Sequence, residues 1–257
     1  MLNALAAWTC GSIALFVIAA RLSSTRIGSR VRASSVGRMA TEGARFIFYV
    51  GLPYAALLTG AFVPRDVGLQ GSPAPDLILG WTPEAWARAF GQAAALGGLT
   101  LAAIALLAWQ VRRARGYGPL ALGIDSAPIA FSIREAIYAE AHWSFYRALP
   151  MLLLADAHWT GLAGLALVTV EALLAGRRAR TDTARIRLFD ALLAGLSATY
   201  FTLTGGNVWV AIALQIGVRV VTTGLVYASH GAESPSEPIV KAAVGSAAAD
   251  PTNEIIV

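Results

Sequence analysis

Seven apolar runs, near 2–20, 45–63, 90–111, 129–154, 158–175, 188–204 and 207–228, constrain this chain more than any other feature. A helix of about 20 apolar residues crosses about 30 Å of hydrocarbon and satisfies its own backbone polar groups where no water is present to do so. The composition agrees, with 14% charged residues against the roughly 25% carried by soluble domains, and a mean hydropathy of +0.61. The expected fold class is therefore all-α: a polytopic membrane helical bundle of about seven transmembrane helices.

The arginines set an orientation. Arg21, Arg26, Arg30, Arg32 and Arg38 follow run one, Arg112, Arg113 and Arg115 follow run three, and Arg177, Arg178, Arg180, Arg185 and Arg187 follow run five. These three loops alternate as cytoplasmic loops should, which predicts the N-terminus outside and the C-terminus cytoplasmic. Leu2 to Ala20 has no basic residue before it and reads as an uncleaved first span rather than a signal peptide. The net charge of +5 belongs to this topology; because the arginines flank apolar segments, nucleic acid is not an expected partner. Membrane lipids are, in a bacterial-type inner or plasma membrane.

Three regions are expected: three leading helices with an outer interfacial segment (1–118), a four-helix core (119–230) and a disordered cytoplasmic tail (231–257). Thr82-Pro83-Glu84 reads as a helix start, with Thr able to cap, Pro suited to the first turn and Glu favoured at the positive helix end. Ala94, Gly98 and Ala102 recur every four residues and predict close approach of a neighbouring helix.

The fourth run carries most of the chemistry. An ionisable group at the bilayer centre costs roughly 2.5–3.5 kcal/mol on insertion scales and is retained where it faces protein or water. At about 100° per residue, Glu140 and Arg147 share one stripe flanked by Trp143 and Ser144, while Glu135, His142 and Tyr146 form another. Gln215, Arg219 and Thr222 fall within about 60° on the last run. Arg219 needs an acidic partner: Glu140 and Glu171 are the natural choices, and Asp190 lies near the cytoplasmic end of its own run. One buried network is expected, joining Glu140, Arg147, Glu171, Gln215 and Arg219.

Runs four to seven resemble the CAAX protease and bacteriocin-processing family of intramembrane proteases. The hairpin Gly195-Leu196-Ser197-Ala198-Thr199-Tyr200-Phe201-Thr202-Leu203-Thr204-Gly205-Gly206-Asn207-Val208-Trp209 follows the family's Gly-Leu-x-x-x-x-Tyr-x-x-Thr-Gly-x-x-Trp pattern with one extra residue. The His and Asn positions of the His-x-x-x-Asn motif that comes next are held by Gln215 and Arg219. Tyr146-Arg147 resembles the ending of the first motif, Glu-Glu-x-x-x-Arg, but His142 and Trp143 stand where its two glutamates belong. Leu167 to Glu171 has the spacing of the family's Phe-x-x-x-His without either signature side chain.

The resemblance implies a protease-like helical core, and the replaced positions imply a degenerate one, retained as a non-catalytic scaffold or as a subunit that meets other membrane proteins. The alternative is an intramembrane endopeptidase with a rearranged site, in which Glu140 or Glu171 acts as base beside His142 and Arg147 or Arg219 holds an oxyanion. The candidate site residues are thus Glu140, His142, Arg147, Glu171, Gln215 and Arg219.

Other chemistries find little support. His142, His158 and His230 are too far apart along the topology to share a metal, no His-Glu-x-x-His helix exists, and no metal or other cofactor is expected. Lys241, the only lysine, lies in the tail and excludes a retinal Schiff base. Walker and Gly-x-Ser-x-Gly signatures are absent. Ser197, Thr199, Thr202 and Thr204 are expected to hydrogen-bond between helices, and Asp156 and His158 to form a solvated outer turn. A carrier of small solutes or lipid ranks third, because the two halves of the chain do not repeat.

Overall fold

A computed structural model describes residues 2–23, 25–69, 78–115, 129–175, 181–204 and 206–231. The expected tail beyond 231 and the arginines at 177, 178 and 180 lie outside the described residues. The described chain is helical: α1 (Leu2–Ser23), α2 (Arg26–Ala33), α3 (Ser35–Phe46), a π-helical turn (Ile47–Gly51), α4 (Leu52–Leu58), a 3-10 turn (Pro64–Val67), α5 (Pro83–Arg115), α6 (Ile129–Leu154), α7 (Ala157–Ala175), α8 (Thr181–Thr204) and α9 (Val208–Gly231). Among the described residues, three windows are long and apolar enough to cross a membrane: Leu2–Ser23, Pro83–Gln110 and Val208–Leu225.

The start of α5 follows its cap, with Thr82 Oγ1 accepting a hydrogen bond from the Ala85 amide at 3.2 Å. At the start of α9, Asn207 Oδ1 accepts from the Trp209 and Val210 amides at 3.0 and 3.4 Å. Gly206 before it has φ +77°, and a Cβ there would collide with the Phe201 ring. Glycine is required at that corner on both counts.

α6 is the central helix. It packs against α1, α7 and α9, while α8 closes on α7 and α5 lies along α8 and α9. One apolar cluster joins Ala89, Ala93 and Ile104 of α5 to Leu193, Leu196, Tyr200, Val210 and Leu214. A second joins Leu5, Ala56, Phe62 and Val67 to Phe145 and Tyr146.

Helix ends pair in an alternating order. Ser132 near the start of α6 meets Thr223 near the end of α9 at 3.5 Å, and Glu135 meets Arg45 of α3 at 2.6 Å. At the opposite end the Val208 amide donates to the Gly68 carbonyl at 3.4 Å, and His158 of α7 reaches the Thr202 carbonyl of α8.

Two expectations need correction. The face of α5 that meets α9 is Ala89, Ala93 and Gly97, where a Cβ on Gly97 would come within 2.9 Å of Leu214; Ala94 and Gly98 are exposed. The small-residue pattern is therefore displaced by one residue, a rotation of about 100°. The second helical run begins at Ser35 rather than 45 and continues through the π-helical turn to Leu58. Its early part is inverted: Val36 and Met39 are 73% and 75% exposed, whereas Glu42 and Arg45 turn toward α6, where Arg134 and Glu135 receive them at 3.0 and 2.6 Å.

Candidate functional site

Glu140 and Arg147 lie on one stripe of α6, two helical turns apart, and bond to each other through Oε1 and Nη2. The other carboxylate oxygen accepts from Ser197 Oγ of α8 at 2.8 Å and from Gln215 Nε2 of α9 at 3.1 Å. Arg147 Nη1 donates to Ser197 Oγ and Nη2 to Ser144 Oγ, both at 3.1 Å, and Ser144 in turn donates to the Glu140 carbonyl at 2.6 Å. Glu140 and Gln215 are fully buried and Arg147 nearly so.

The surroundings are shaped around the guanidinium. Its carbon sits 3.6 Å from the centroid of the Phe201 ring, close enough for a cation–π contact. Gly164 of α7 lies against the stem, and a Cβ there would stand 2.6 Å from Arg147 Cγ. Arg147 also borders a cavity of about 30 Å³ that reaches Arg65, Asp66, Met151 and Thr160. A larger hollow of about 330 Å³ lies elsewhere, between α1 and α4 at Trp8, Gly11, Leu15 and Leu52, and none of the candidate ionisable residues lines it.

The second stripe leads to a different pair. His142 Nε2 lies 3.0 Å from Glu171 Oε2 and 3.3 Å from Oε1, with both side chains buried. With the proton on Nε2, His142 donates to the carboxylate, and its buried Nδ1 has no partner among the described residues. Three rings enclose the imidazole: Tyr146 at 4.4 Å, Phe48 at 4.9 Å and Tyr49 at 5.2 Å between centroids. Phe48 and Tyr49 come from the π-helical turn, whose extra residue per turn aims both rings at α6.

The single network expected from sequence is thus divided. Glu140, Arg147 and Gln215 are brought together, Glu171 pairs with His142, and Arg219 pairs with Asp190 at 2.9 Å. Arg219 lies one turn beyond Gln215, yet the carboxylate beside it is the half-exposed Asp190 of α8. Ser144 and Ser197 are the members that charge patterning did not place in the network. Of the four hydroxyls expected between helices, Ser197 makes such a bond, whereas Thr199 and Thr204 bond to carbonyls of their own helix and Thr202 Oγ1 has no partner among the described residues. Among the described residues no three His, Cys, Asp or Glu side chains are placed to hold one metal ion.

The Glu140 carboxylate directs both oxygens at protein donors and touches no solvent. Such a group is suited to fixing the mutual rotation of α6, α8 and α9, and poorly suited to activating water, which needs an acceptor within hydrogen-bond reach of a water site. His142 and Glu171 form the one pair of general-base type among the candidates. No family model matches the chain, and neither a curated protein nor a solved structure matches it.

Proposed function

We propose that this chain is a polytopic membrane protein whose second half is a degenerate core of the CAAX protease type, kept as a non-catalytic scaffold or as a subunit of a membrane complex. The observation that carries the reading is the closed arrangement at Glu140: its two oxygens meet Arg147, Ser197 and Gln215 in a fully buried position. A charge pair satisfied in this way holds helix register without requiring a substrate.

The crossing number in this reading is about seven, with α3, the π-helical turn and α4 counted as one span, the N-terminus outside and the C-terminus in the cytoplasm. Ser35 to Leu58 extends about 36 Å as a helix, enough for the hydrocarbon layer. The alternating pairing of helix ends supports the count. So does the inverted face of α3, since exposed Val36, Met39 and Phe46 beside inward-turned charges suit an apolar medium. The arginine-rich first loop gives the sidedness.

Purifying the full chain in mild detergent and identifying what accompanies it tests the proposal. A membrane protein recovered at a fixed ratio is the expected result. A chain recovered alone that cleaves a prenylated peptide, and stops doing so as Glu171→Gln, overturns it. That outcome establishes the second reading, an intramembrane endopeptidase, which is favoured by the bond between His142 and Glu171. In that reading Glu171 acts as the base toward the attacking water, beside His142.

A further inference from the structure

We infer that the elbow formed by α2 and α3 is a binding surface for the headgroups of anionic phospholipids, an inference that rests on the membrane reading above. The chain carries five arginines, Arg21, Arg26, Arg30, Arg32 and Arg38, before its first acidic residue, Glu42. Arg30 on α2 and Arg38 on α3 are exposed in the structure. A run of arginines beside a transmembrane helix attracts anionic lipid, and each guanidinium can grip a phosphate through two parallel N–H groups.

The elbow is held in a fixed shape. Thr25 Oγ1 accepts from the Gly28 amide at 3.2 Å at the start of α2, and Ser34 Oγ accepts from the Gly37 amide at 3.0 Å at the start of α3. The Ser34 amide bonds back to the Val31 carbonyl at 3.2 Å, so the two helices meet without an intervening loop. Gly28 lies against the carbonyl of Leu22 and Gly37 against that of Val31, in spaces where a Cβ would collide. The cationic side chains are therefore presented from a rigid corner, with little ordering left for binding to impose.

The apolar neighbours select the kind of partner. Val31, Val36 and Met39 are exposed beside the arginines. A nucleic acid or an acidic protein would meet the cations and offer nothing to these apolar side chains. A membrane surface supplies phosphate and hydrocarbon within one helical turn of each other, as amphipathic anchors require. Choline headgroups offer the same hydrocarbon without net negative charge, so anionic lipid is the form preferred.

Native mass spectrometry of the full chain in mild detergent, with phosphatidylglycerol and phosphatidylcholine of identical acyl chains at equal concentration, reads this directly. The unchanged chain should retain phosphatidylglycerol at least about tenfold more, at about fivefold per arginine engaged. The preference should fall toward parity in Arg30→Gln/Arg38→Gln, persist in Arg30→Lys/Arg38→Lys, and weaken as salt rises. Equal retention of the two lipids overturns the inference, as does a preference that survives the glutamine variant; should that variant fail to fold, a preference indifferent to salt does the same. Nucleic acid retained in place of lipid also overturns it. Extraction of the chain by alkaline carbonate without detergent removes the membrane reading and this inference together, whereas a membrane-embedded chain indifferent to headgroup charge removes this inference alone.

Discussion

Gln215 and Arg219 stand one helical turn apart on α9 and bond to carboxylates on two different helices, Gln215 to Glu140 of α6 and Arg219 to Asp190 of α8. The first contact is fully buried. The second is open on its acidic side, with the Asp190 side chain 47% exposed. Two polar positions that appear equivalent on a helical wheel therefore differ in what their loss costs.

Replacing Arg219 by Leu should destabilise the protein by less than about 1 kcal/mol, because Asp190 regains water when its partner is removed. Arg147→Leu strands the Glu140 charge among protein groups and should cost about 3–5 kcal/mol. Denaturant unfolding of the two variants in the same detergent compares them. Equal losses would mean that the Asp190 pair is as enclosed as the Glu140 pair.

Gly164 and Gly98 form a matched test of close approach. Gly164→Ala places a methyl group 2.6 Å from Arg147 Cγ and should cost about 1–3 kcal/mol through overpacking. Gly98 is exposed, and a Cβ there would have no neighbour within 4 Å among the described residues, so Gly98→Ala should be neutral or stabilising by up to about 1 kcal/mol. Thermal midpoints of the two variants distinguish them. A stable Gly164→Ala protein would mean that α7 does not lie against the arginine stem.

The polar stripes of α6 were legible in the sequence because helical azimuth follows from residue spacing alone. Glu140, Ser144 and Arg147 share one side and His142 and Tyr146 another, and the structure uses both. Partner choice was not legible, since azimuth within one helix says nothing of how its neighbours are rotated. The same ignorance displaced the packing face of α5 from Ala93 and Gly97 to Ala94 and Gly98. The early start of the second helical run escaped for another reason: hydropathy averages Arg38, Glu42 and Arg45 with their neighbours, although Glu42 and Arg45 turn inward and leave an apolar face outside. Ser197 had no signal beyond its place in a hairpin, because a hydroxyl that bridges two charges looks like any other helical serine.

The inverted face of α3 leads to a spectroscopic expectation. A nitroxide attached at Met39→Cys, with Cys10 replaced by Ser, should relax faster with oxygen than with a water-soluble nickel chelate, because oxygen concentrates in hydrocarbon. The label at Arg65→Cys, in the 3-10 turn, should show the reverse. Stronger relaxation by nickel at position 39 would put α3 in water and remove that support for a second crossing.

The central claim is that Glu140 and Arg147 form a structural pair, and a double-mutant cycle on the full chain tests it most directly. Unfolding free energies are measured in mild detergent for Glu140→Gln, Arg147→Met and the two combined. Each single replacement should cost about 3–5 kcal/mol, and the combination less than the sum by about 2 kcal/mol or more, because removing both charges leaves neither buried alone. Additive losses, or single variants that unfold like the unchanged protein, would contradict the account.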